Sequence, residues 1–93
     1  MRYMIEIPKP SAKRLEANRH LVIQTHAGWS FFERTCPIPL GADVFDFEFD
    51  GPMEHHDPNV LDGDFSTKFF VEYRNSTGSR TERAKVEPIL LRE

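Results

Sequence analysis

Cysteine is almost missing from this chain, long apolar runs are missing altogether, and a long central segment has no lysine or arginine. Each absence excludes something. The single cysteine, Cys36, cannot form an intramolecular disulfide, which fits a reducing compartment. The first thirty residues contain no apolar stretch of the kind a secretory signal uses. No segment approaches the ~20 apolar residues that cross a bilayer. The expected placement is therefore cytoplasmic, with no membrane partner. The Asn75-Ser76-Thr77 triplet matches a glycosylation acceptor, but without a secretion signal it reads as a turn.

Catalytic signatures are missing too. The chain has no G-x-S-x-G, P-loop, dinucleotide fingerprint or H-E-x-x-H. No cofactor is expected, and the chain does not read as an enzyme. Cys36 precedes Pro37 and has only Arg34 nearby as a cation. A thiolate nucleophile needs more support than that. Cys36 reads instead as a small apolar residue.

What is present suits a single compact domain over residues 1–93. A chain of 93 residues buries only about 60–65% of the surface its unfolded form exposes, so the core is small. Hydrophobic residues make up 39% and aromatics 12%, enough to build one core, with eight phenylalanines supplying much of it. The chain is too apolar to read as disordered.

The hydrophobic pattern has a period of two almost throughout. Tyr3, Ile5 and Ile7 alternate with polar neighbours, giving a strand over residues 2–7 that Pro8 and Pro10 end. Ser11 could cap a short helix over 11–18, although Leu15 is its one large apolar residue. Residues 20–26 and 29–35 read as strands joined at Ala27-Gly28 in a hairpin. Trp29, Phe31 and Glu33 share one face of the second strand, which Pro37 and Pro39 should break.

Residues 43–50, DVFDFEFD, show the clearest alternation. Phe45, Phe47 and Phe49 point one way and Asp46, Glu48 and Asp50 the other. A slip of one residue would bury three carboxylates, so the register is firmly specified. Residues 51–65 then read as a long loop with turn residues Gly51, Pro52, Pro58, Asn59 and Gly63. Residues 67–74 form a further strand, and 80–91 a last one with Ala84, Val86 and Leu90 inward. Pro88 means that its end is an edge or already leaves the sheet.

About six strands with short links predict an all-β fold, an antiparallel β-sandwich or small open barrel. The alternative is an α+β arrangement with the 11–18 helix across an antiparallel sheet.

The charge is unevenly placed. Residues 35–67 hold Asp43, Asp46, Glu48, Asp50, Glu54, Asp57, Asp62 and Asp64 and no basic residue, a charge of −8. The remainder holds twelve basic and seven acidic side chains, a charge of +5, for the overall −3. One domain with a negative and a positive side results. On a strand Asp46, Glu48 and Asp50 lie ~6.6 Å apart along one face, twice the rise per residue. Neighbouring like charges destabilise a strand, and a tolerated cost of this kind hints at function.

The expected function is a small non-enzymatic binding or inhibitor protein that docks an acidic strand-and-loop surface on a basic partner protein. Asp46, Glu48, Asp50, Glu54, Asp57, Asp62 and Asp64 would meet its lysines and arginines. The partner class includes nucleic-acid-processing enzymes, by analogy with anti-defence and immunity-type inhibitors. One alternative is a metal-binding protein or small metal-dependent hydrolase centred on His55, His56 and Asp57. Asp62-Gly63-Asp64 matches only part of a calcium loop. Another alternative is a structural subunit that pairs through an edge strand. Basic residues also gather near the N-terminus (Lys9, Lys13, Arg14, Arg19) and the last hairpin (Arg74, Arg80, Arg83, Lys85), with Tyr3 and Phe70 as candidate stacking platforms. The negative net charge and the lack of a recognition motif argue against direct nucleic-acid binding.

Overall fold

The computed structural model describes residues 1–10, 18–27, 30–50, 54–55, 65–75, 77 and 79–91. Two antiparallel sheets face each other over the core, and the described residues contain no helix. The elements are β1 (Arg2–Glu6), β2 (Arg19–Ala27), β3 (Ser30–Pro37), β4 (Val44–Glu48), β5 (Glu54–His55), β6 (Phe65–Arg74), β7 (Arg80–Val86) and β8 (Ile89–Leu90). The smaller sheet has the order β4-β1-β8. The larger runs β3-β2-β6, and the far side of β6 carries β5 at one end and β7 at the other. The all-β expectation holds. The helix expected over 11–18 falls outside the described residues except for Asn18, which lies in a bend before β2.

Period-two alternation explains the packing. Tyr3 and Ile5 from β1 and Phe47 from β4 face Leu21, Ile23, Phe69, Val71, Tyr73 and Val86 of the larger sheet in one buried cluster. Phe47 and Phe49 both meet the Phe69 ring, at centroid distances of 5.6 and 5.5 Å. The Phe49 contact is edge-on, a favoured geometry for aromatic pairs, and the Phe47 ring is tilted against Phe69. Cys36 packs half-buried against the same cluster. On the opposite face of the larger sheet Val22 is fully buried as well.

The two sheets are joined by crossings on opposite sides. On one side the chain passes from β3 to β4. Pairing with β2 continues beyond Pro37, since Ile38 N–H donates to the Arg19 carbonyl at 3.0 Å. Pro37 therefore does not break the ladder; it ends an edge strand, where a missing N–H costs nothing. Pro39 to Ala42 then form a turn closed at 3.2 Å, with Gly41 at φ 78°, the conformation that a type II turn demands at its third position. Arg19 is buried and holds this crossing, donating to the carbonyls of Ala42 at 2.8 Å and Pro39 at 3.1 Å.

On the other side Glu87-Pro88 carries the chain out of β7 and into β8, which pairs with β1. The expected single strand over 80–91 is thus two strands in different sheets. Leu90 does not point into the core but is 53% exposed. The expected 51–65 loop also contains a strand, because β5 pairs Glu54 with Ser66 and His55 with Phe65.

Candidate functional site

The acidic side is built on β4. Its backbone is fixed by pairing with β1, from Arg2 opposite Glu48 to Glu6 opposite Val44. Phe45, Phe47 and Phe49 turn inward, with Phe47 buried and the other two packed on the core. Asp46, Glu48 and Asp50 turn outward and are exposed. The alternation in the sequence therefore places these three carboxylates as expected.

They are not equivalent. Asp50 lies 2.8 Å from the amino group of Met1, with side-chain exposures of 91% and 55%. That hydrogen bond and the ammonium charge hold the Asp50 carboxyl below its ordinary pKa. Glu48 lies 3.6 Å from the Arg2 guanidinium, again with both side chains in solvent. Asp46 stands opposite Met4 and has no ion pair among the described residues. Exposed pairs of this kind contribute little and are readily exchanged for other partners.

The loop residues of the expected site are a different matter. Glu54 and His55 are described only through their backbone in β5, while His56, Asp57, Asp62 and Asp64 lie outside the described residues. The metal alternative falls there with them. Among the described residues no three His, Cys, Asp or Glu side chains group as metal ligands would.

The outer face of the larger sheet holds an arrangement that sequence reasoning missed. Glu72 is buried between two guanidiniums, with Arg83 at 2.7 Å and Arg74 at 3.4 Å. Arg83 also lies over the Phe70 ring, 4.8 Å from its centroid. His20 stands opposite Glu72 in the β2–β6 ladder. Burial, and then the Arg74 charge, push its pKa below the ordinary value, with Glu72 opposing. The signal was a glutamate in the middle of an apolar strand facing an arginine-rich one, but pairing depends on the β6–β7 register.

Two expectations for the basic residues are corrected here. Arg19 is no phosphate contact, because its guanidinium is buried on backbone carbonyls. Tyr3 is no stacking platform, since it is buried and stacks on Phe47 at 5.9 Å. Phe70 is half-buried beneath Arg83. Lys68 and Lys85 remain exposed beside a groove of about 370 Å³ between the start of β6 and the end of β7.

The fold is a small antiparallel β-sandwich, with Asp46, Glu48 and Asp50 exposed on and just beyond β4. Compared with known proteins, the chain matches no family model, no curated protein and no solved structure. No helix among the described residues is long and apolar enough to cross a membrane.

Proposed function

We propose that this chain is a small non-enzymatic binding protein of the cytoplasm that docks its acidic side on a basic partner protein. Inhibitors of nucleic-acid-processing enzymes, including anti-defence and immunity proteins, work through such surfaces, and the analogy sets the partner class. One observation carries the reading. Asp46 and Glu48 stand in solvent on the outward face of β4 and Asp50 just beyond its end, while the rings between them are anchored in the core. A paired backbone holds their spacing, so the surface is organised before the partner arrives. Glu54, Asp57, Asp62 and Asp64 follow in sequence and are proposed as further contacts for the same partner. Arg2 and the Met1 amino group are the local cations that an incoming arginine or lysine would replace.

The test is affinity capture from nuclease-treated lysate. The triple reversal Asp46→Lys, Glu48→Lys and Asp50→Lys should fold normally and lose the captured basic protein. Salt should weaken capture, chiefly through the association rate. Unchanged capture by the triple variant rules this surface out.

The second reading, a subunit that assembles through sheet edges, is favoured by β4 and β7 each having a single strand partner among the described residues.

A further inference from the structure

Resting on the acidic-side reading, the molecule's opposite side offers the same carboxylates a further partner, a second copy of this chain. Antiparallel pairing uses alternate residues on each side of a strand, so known hydrogen bonds show which backbone groups are left over. In β4 the odd-numbered residues bond to β1, as the flanking bonds from Phe49 N–H to the Met1 carbonyl and from Ile7 N–H to the Asp43 carbonyl fix. Val44, Asp46 and Glu48 therefore turn their N–H and C=O groups to the edge where no strand pairs among the described residues. In β6 the Arg74 N–H bonds to Asn18, so even-numbered residues serve β2. Phe69, Val71 and Tyr73 then bond to Val86, Ala84 and Glu82 of β7. Arg83 and Lys85 are left with their backbone groups facing outward.

We propose that β4 of one molecule adds antiparallel to β7 of a second copy, with Asp46 opposite Lys85 of the second copy and Glu48 opposite its Arg83. That register satisfies three requirements together. It joins the outward backbone groups of both edges as hydrogen-bonded pairs. On the outer face it sets Asp46 against Lys85, whose exposed contact with Glu87 at 3.7 Å is readily exchanged, and Glu48 beside Arg83, which keeps its bond to Glu72. On the inner face Phe45 meets Val86 of the second copy and Phe47 meets its Ala84. Exposed aliphatic residues lie on the same two sides: Leu40 and Val44 at 77% and 48% beside β4, Ile89 and Leu90 at 49% and 53% next to β7.

The edge of β3 offers no equivalent joint. Antiparallel pairing of an edge with itself preserves faces, so a two-fold joint centred on that strand sets Glu33 or Arg34 opposite its own copy. By contrast β4 and β7 lie on opposite sides of the sandwich, which makes the joint head-to-tail and able to extend.

A five-residue strand joint is smaller than the ~800 Å² per partner of a standard interface, so association is measured at about 0.1–1 mM protein. Sedimentation velocity of the full chain at low salt should show species growing beyond the 10.8 kDa monomer, and added salt should disperse them. Asp46→Lys and Lys85→Asp, each shown to be folded by circular dichroism, should each weaken association by about tenfold or more. An equimolar mixture should recover it, because the reversed charges face each other again. A wild-type chain that stays monomeric, single variants that associate as the wild type does, or a mixture without recovery would each overturn the proposal. A monomeric wild type that still captures a foreign basic protein through Asp46, Glu48 and Asp50 sinks the self-association and spares the acidic-side reading. Loss of both sinks both.

Discussion

The carboxylates of β4 and the carboxylate of Glu72 show two uses of the same functional group. Glu72 is 5% exposed, and two guanidiniums hold it in place. Removing water from that glutamate makes its partners obligatory, because a buried charge without one is costly. Asp46, Glu48 and Asp50 keep their water and need no partner to remain in place. The first arrangement builds the fold; the second leaves binding energy unspent. The comparison teaches that the acidic character of the chain alone says little: burial decides which carboxylates are committed.

The largest effect should come from the anchor beneath the exposed set. Phe47→Ala should cost about 3–5 kcal/mol in chemical denaturation, as aromatic deletions in cores do, and should loosen the whole acidic face. Glu72→Gln should follow at about 2 kcal/mol, reduced from the fully buried case because Arg74 and Arg83 retain 29% and 24% of their side-chain exposure. A loss as small as that of an ordinary surface substitution would erase the contrast between the two carboxylate classes.

The pH dependence sharpens it further. His20 has a folded pKa below its ordinary 6.5, so the unfolded chain takes up the proton first. Stability should therefore fall as pH drops through 6.5 toward the lower folded value, and His20→Gln should flatten that part of the curve. Tyr73, whose hydroxyl donates to the Pro8 carbonyl, is shifted above 10.0 by burial, with Glu82 adding to the effect. Stability should decline as pH rises through 10.0, where the unfolded tyrosine ionises first. The smallest effect belongs to the exposed set: Asp46→Lys should change stability by less than about 0.5 kcal/mol. A larger loss would mean that Asp46 is part of the fold.

Much of this architecture was legible in the residues. The phenylalanine–carboxylate alternation of β4 admits one register, and the structure adopts it. The β2–β3 hairpin was legible for the same local reason, although Ala27 belongs to its first strand, opposite Ser30. What was not legible depends on long-range pairing. Leu90 reads as inward on a continuous strand, yet the chain changes sheets before reaching it. Arg19 reads as one more surface cation, because nothing local shows that a crossing passes over it. Tyr3 reads as available to a ligand until β4 is laid beside β1. The outward carboxylates were legible, but Arg2 and the Met1 amine beside them are consequences of the β1–β4 register.

The transfers at Pro39–Ala42 and Glu87-Pro88 lace the two layers along both flanks. Neither layer can peel away while the other stays whole, because each flank would have to unstitch. Slow amide exchange in β1 should therefore track that in β2 and β6, and the sandwich should open as one unit.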